Sequence, residues 1–223
     1  MKILRRVLLV ALAALPSFAA DKPAEKPPVR IAVLYFDVLT QDAELQAFTK
    51  GLAAMMITDL AMAPGLQIVE RDRLEAVLAE LKLGSSAFTD KSNLVKVGKL
   101  LQADFLVTGS LIKAGKIQSI ELRLFSSATS AVTATHRAKL KDDDVFEAEQ
   151  SCVGAVLKSL DKMKSELAVK SEPLPYATAV KYSYALDAKD KKDKATATRL
   201  LQEVVKERPG FALAKLDLAT LTE

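Results

Sequence analysis

His136 and Cys152 are the only histidine and the only cysteine in the chain of 223 residues, so most catalytic readings must pass through one of them. A Ser-His-Asp arrangement would use His136, with Ser110 or Ser119 as nucleophile. No G-x-S-x-G run supplies the strained elbow such a serine needs, and His136 falls on a half-exposed strand pattern. One His and one Cys far apart do not make the N/S ligand set of a zinc site, and no metal is expected. Cys152 lies beside Val153 and Val156 in a helical pattern and reads as a buried, inert thiol. Asp142, Asp143 and Asp144 offer three successive carboxylates. Neighbours at a helix start point in different directions, and no acidic set follows at loop spacing, so they read as a helix N-terminus. Neither G-x-x-x-x-G-K-[ST] nor G-x-G-x-x-G occurs, and no nucleotide or other cofactor is expected. Glu70-Arg71-Asp72-Arg73 sits at a strand-to-helix junction, where open α/β sheets bind ligands. The Asp72-x-x-Glu75 spacing instead reads as a capping box with local ion pairs. Lys189 to Lys194 reads as a solvated mixed-charge loop.

The elements that must position these residues are legible from hydrophobic period. Val29 to Phe36 is an almost wholly apolar run, as in a central strand covered on both faces. Asp42 caps a helix carrying Leu45, Phe48, Leu52, Met55, Met56 and Leu60, and Pro64-Gly65 stops it. A strand over Leu66 to Arg71 follows, then a helix with Leu74, Val77, Leu78 and Leu81 on one stripe. Thr89 or Asp90 caps a helix with Leu94, Val97 and Leu101 inward, where Gly98 permits close approach to a strand. Asp104 to Leu111 is the next strand; a tight turn at Lys113 to Lys116 and two short, mixed, half-exposed strands follow, ending near Arg137. A helix then runs from Asp144 to about Val169, with Val153, Val156, Leu157, Leu160 and Leu167 inward, and Ser171 to Pro175 is a linker. Helices near 176–189, 194–207 and 211–221 complete the chain.

Residues 1–20 read as a signal peptide: Lys2, Arg5 and Arg6 precede an apolar run from Val7 to Leu15 and small residues around Ala19 and Ala20. The run is shorter than the about 20 residues of a spanning helix. Cleavage is expected after Ala19 or Ala20, where no cysteine stands to be lipidated, and the mature protein is expected to be soluble in the periplasm. Without Lys2, Arg5 and Arg6 the basic count falls from 32 to 29 against 28 acidic residues, so the net charge drops from +4 to +1. No nucleic-acid footprint remains. Residues 21–28 form a charged, proline-rich lead.

Three runs in order carry a family resemblance: Ile31 to Phe36, Ile68 to Leu78 with Glu70 and Arg71, and Val97 to Ser110 with Gly98, Ala103, Asp104 and Gly109. Together they resemble the envelope proteins grouped with the curli secretion protein CsgG, related to FlgO proteins, penicillin-binding-protein activators and the amino-terminal part of TolB. The resemblance spans 29–140. It implies a mixed α/β sheet with packed helices and a non-catalytic role as scaffold, channel subunit or regulator. The chain departs from the curli channel in lacking a lipidated cysteine and room for long membrane hairpins. The carboxyl-terminal helices resemble one tetratricopeptide-type repeat, with Ala185, Ala197, Leu201, Val204 and Pro209 at its motif positions and Lys181 and Ala188 where aromatics are usual.

The expectation is therefore a signal peptide (1–20), a lead (21–28), a CsgG-like α/β domain (29–170) and a small all-α tail (176–223). The protein would be a periplasmic scaffold that binds envelope proteins, with homo-oligomers and peripheral outer-membrane contact allowed by the resemblance. Tyr176, Val180 and Tyr184, at helical spacing, are the candidate partner-binding residues. The rivals are a ring-forming secretion-channel subunit and, last, a hydrolase using His136.

Overall fold

A computed structural model describes residues 27–38, 42–114, 116–141, 144–161 and 173–222. The expected signal peptide, Gly115 of the expected tight turn, Asp142, Asp143, Leu167 and Val169 of the expected fourth helix, and Ser171 and Glu172 of the expected linker lie outside these residues.

The first strand, β1 (Val29–Val33), is shorter than its apolar run suggests. The Leu34 N–H still donates to the Val107 carbonyl at 2.8 Å. The chain then leaves the ladder and rejoins it as β2 (Asp37–Val38). Helix α1 (Ala43–Ala61) starts on Asp42, whose carboxylate accepts from the Glu44 and Leu45 amides at 3.1 Å. Strand β3 (Leu66–Ile68) is also shorter than its sequence pattern. Helix α2 (Arg71–Leu81) corrects the capping-box reading: Glu70 is the N-cap, without a side-chain cap bond, and Asp72 lies one position inside the first turn. A 3-10 turn over Ser85–Thr89 occupies the stretch read as a break. Asp90 caps α3 (Lys91–Leu101) through the Ser92 amide at 2.7 Å.

Strands β4 (Phe105–Ala114), β5 (Lys116–Ser126) and β6 (Ala131–Lys139) have ten, eleven and nine residues, so the later strands are not short. Asp144 caps α4 (Val145–Ser159) through the Phe146 amide at 2.9 Å. The tail comprises α5 (Tyr176–Asp190), α6 (Lys194–Glu207) and α7 (Ala212–Thr222).

The strands form one mixed sheet in the order β3-β1-β4-β5-β6, with β2 also beside β4. Strands β1, β2, β3 and β4 pair in parallel, while β4-β5 and β5-β6 are antiparallel. Helix α1 packs against β1, β2 and β3, while α3 packs against β4 and α2. Helix α4 returns over β5 and β6 beside α1. Then α5 packs on the far side of α1 and adds a third layer. This explains why α1 is apolar nearly all round, with Leu45, Phe48, Leu52, Ala53, Met56 and Leu60 buried: it has the sheet on one side and a helix on the other. The Met55-Met56 pair is core.

The buried residues of sheet and tail form one continuous cluster, from Ile31 to Ala214. Phe48 meets Tyr176 edge-on at 5.3 Å, and Phe211 meets both Phe146 at 5.5 Å and Tyr182 at 5.0 Å. A Cβ on Gly51 of α1 would run into the Ser183 hydroxyl of α5, so glycine is what lets these two helices touch. The stretch read as a linker is tied down at its end: the Leu174 amide donates to the Asp144 carboxylate at 3.2 Å, and the Val145 amide to the Leu174 carbonyl at 3.0 Å.

Candidate functional site at the junction of sheet and tail

The densest cluster of charge lies where β1 and β3 end, under the last turn of α5. Arg71 begins α2 there because β3 ends three residues earlier, and its guanidinium Nη1 donates to both carboxylate oxygens of Asp190, at 2.7 and 2.8 Å. Lys50 of α1 donates to Asp187 at 2.8 Å and to Asp190 at 2.9 Å, and lies 3.7 Å from Glu75. The Tyr35 hydroxyl donates to Glu75 Oε1 at 2.5 Å.

The Arg71 side chain is only 11 % exposed and that of Asp190 18 %. Burial alone would pull the Lys50 and Arg71 cations down. Asp187 and Asp190 outweigh it at Lys50, and Asp190 at Arg71, so both pKa values are raised. Burial also lifts the Asp187 carboxyl, but Lys191 and Lys50 more than offset that and hold it below the usual range. Burial, then the Glu75 carboxylate, push the Tyr35 phenol up. Two cations thus meet three carboxylates and a neutral phenol in partly desolvated space, and the groups complete one another.

This corrects two sequence readings. Arg71 does make the expected local ion pairs, at 3.7 Å to Asp72 and 3.9 Å to Glu75, but it does not serve a local cap; its main partner, Asp190, is 119 residues away. Asp190 does not belong to a solvated loop, and its neighbour Lys189 donates to Asp217 of α7 at 2.9 Å. Pairings this distant leave no local trace in sequence.

The other residues of the family pattern serve backbone and packing. Glu70 ends the β3 turn as an extended N-cap. A Cβ on Gly98 would stand 2.6 Å from Ser127 Oγ and 3.6 Å from Leu106. Gln102 takes the left-handed conformation with φ 53°, and the Ala103 amide returns to the Gly98 carbonyl at 2.9 Å, closing α3. Asp104 clips three strands: its carboxylate accepts from the Arg30 amide at 2.8 Å, its amide donates to the Arg30 carbonyl at 2.8 Å, and its carbonyl accepts from Ser127 at 2.9 Å. Gly109 faces the Glu121 carbonyl and the Phe36 ring with no room for a Cβ.

Tyr176, Val180 and Tyr184 do not share one surface. Tyr176 packs on Phe48, Val180 is buried, and Tyr184 is exposed. His136 is on β6, and its Nε2 lies 2.8 Å from the Ser151 hydroxyl of α4. Ser110 and Ser119, the nucleophiles considered from sequence, are buried on β4 and β5. Among the described residues no carboxylate bonds to the His136 ring, and no three His, Cys, Asp or Glu side chains gather in a way that could hold a metal ion. Burial and the nearby Glu149 push the Cys152 thiol up to about 12, an unreactive setting.

The fold and this junction define an α/β domain whose polar residues of the family pattern hold elements together. Residues 13–120 match the family model described as "Curli production assembly/transport component CsgG", so the chain carries a CsgG-like domain. The match ends at Ile120, before β6, α4 and the tail. A curated protein named "Putative adenylate cyclase 3", from Rhizobium meliloti (strain 1021), is 24% identical over 215 residues, or 92% of this chain. The chain spans 35% of that protein's length. Among solved structures, lipoprotein GNA1162 from Neisseria meningitidis aligns with TM-score 0.44 and 14% identity, covering 62% of this chain and 100% of that one. The LpoB C-terminal domain from Salmonella enterica aligns with TM-score 0.37 and 12% identity, covering 53% and 87%. No described helix is long and apolar enough to cross a membrane.

Proposed function

We propose that this is an exported cell-envelope scaffold or adaptor that works by binding other envelope proteins and performs no catalysis of its own. The observation that carries the reading is the CsgG-like domain over residues 13–120. The internal use of Arg71, Asp104, Gly98 and Gly109 supports it, because these polar and glycine positions of the family pattern hold elements together. In this reading residues 1–20 direct export and are removed. The tail is a tetratricopeptide-like unit that adds binding surface to the domain, with Tyr184 of α5 and Leu216 of α7, 38% and 63% exposed, as its apolar contacts.

The test is cell fractionation followed by cross-linking and capture of the tagged protein from intact cells. The expected result is a processed protein in the envelope fraction, with the same envelope proteins captured in replicate and lost on Tyr184→Asp with Leu216→Asp. An unprocessed cytosolic protein would overturn the reading.

A second reading rests on the likeness over 92% of this chain to about a third of "Putative adenylate cyclase 3". Here sheet and tail form an accessory module that also occurs inside longer proteins, and the ring-forming channel subunit recedes. Incubation with ATP and divalent metal separates catalysis from an accessory role. No cyclic nucleotide is expected, and its formation by the purified chain would contradict the non-catalytic claim.

A further inference from the structure

The least satisfied polar group among the described residues is the carboxyl of Glu149. Its side chain is 0 % exposed, in the first half of α4 on the face that meets α1, and its carboxyl oxygens have no polar partner among the described residues other than the Asp59 carboxyl opposite. Its neighbours on α4, Ala148, Cys152, Val153 and Val156, are apolar or thiol and fully buried. The group that faces it from α1 is another carboxyl, Asp59, half-buried. From α4 itself comes the Cys152 thiol, one turn on. No cation faces it from α1, α4, β5 or β6 among the described residues.

A carboxylate cannot be held there. Ionisation would strand a charge in apolar space beside a second acid, and such a group takes up a proton or leaves. Burial first, and Asp59 second, keep the Glu149 carboxyl neutral well above the ordinary carboxylate range. Asp59 is also raised, chiefly by burial.

Helix α4 is the element that transmits the consequence. Through Ser151 it holds His136 of the edge strand β6, and through Phe146 it touches Phe211 at the start of α7. We propose that Glu149 is a proton-dependent latch: neutral, it seats α4 against α1; ionised, it is expelled and α4 loosens from α1, β6 and the tail together. An exported protein experiences the pH of its surroundings more directly than a cytosolic one, but the latch does not depend on which partner the protein binds.

Cys152 is a built-in reporter, because it is buried beside Glu149 and is the one cysteine in the chain. The experiment measures the labelling rate of Cys152 by a thiol reagent in the full chain from pH 5 to 9, beside amide exchange of residues 145–159. Thiolate formation alone gives about a tenfold rise per pH unit below the thiol pKa. The latch predicts a steeper rise over part of the range, with α4 losing exchange protection relative to α6 over the same interval. Glu149→Gln should restore the tenfold slope and constant protection. Asp59→Asn, which removes the opposing acid, should move the steep interval to lower pH without abolishing it, and serves if Glu149→Gln fails to fold. A tenfold slope and flat protection in the wild type, or steepness that persists in Glu149→Gln, would overturn the proposal.

Discussion

Two acids of the fold respond to pH in opposite senses. Asp187 is held low by Lys191 and Lys50 against its own burial. Its folded-state pKa lies below the unfolded value, so its contribution is present above that value and is lost as pH falls through the folded one. Glu149 is raised by burial and by Asp59. Below its unfolded value both states hold the proton; above it only the folded state does, so stability declines as pH rises toward the folded value. The thermal midpoint should therefore fall on both sides of a maximum at mildly acidic pH. Asp187→Asn should flatten the acid limb and Glu149→Gln the other. A midpoint rising steadily from pH 5 to 8 would contradict the assignment at Glu149. Asp104 makes a third case: Asp104→Ala should cost about 1–2 kcal/mol, from the bond its carboxylate makes to the Arg30 amide. Denaturant titration reads that loss.

At the scale of elements, the contact between α1 and α5 depends on a missing side chain. Gly51 leaves space for Ser183, whose hydroxyl donates to the Ala179 carbonyl at 2.7 Å. Gly51→Val should overpack this contact and cost about 1–3 kcal/mol, with faster amide exchange in α5. Gly51→Ala should be milder and largely rescued by Ser183→Ala. Unchanged exchange in α5 of Gly51→Val would show that the helices do not meet there. Local chemistry made the helices legible in sequence. Asp42, Asp90 and Asp144 announce helix starts by capping, and the stripe Leu74, Val77 and Leu78 shows which face of α2 is buried. The tail helices fall within a residue or two of their expected ends because Pro209-Gly210 and the apolar period mark them. Asp72 misled because a first-turn acid and a capping acid look alike in one sequence, and only the position of Arg71 against Asp190 separates them. Strands β5 and β6 extend beyond the alternating runs that mark them, and Glu121 and Arg137, both within those runs, pair across the two strands.

The whole molecule is less divisible than its sequence suggests. The proline-flanked stretch before Tyr176 looks like a boundary, yet Tyr176, Phe211, Ser183, Asp187 and Asp190 all bind the tail to the sheet. Removing residues 173–223 should expose the outer face of α1 and yield an aggregating or partly unfolded domain by light scattering; a stable monomer would argue for two independent units. The central claim is that Arg71 acts inside the protein, fixing the tail, rather than on a ligand. A double-mutant cycle on Arg71→Ala and Asp190→Ala, followed by equilibrium unfolding, tests it most directly. The pair lies between exposed and fully buried, so each single substitution should cost about 1–3 kcal/mol, with a coupling of at least about 1 kcal/mol between them. A coupling near zero, with the tail still protected from exchange, would contradict the claim and return Arg71 to the list of residues free to bind something else.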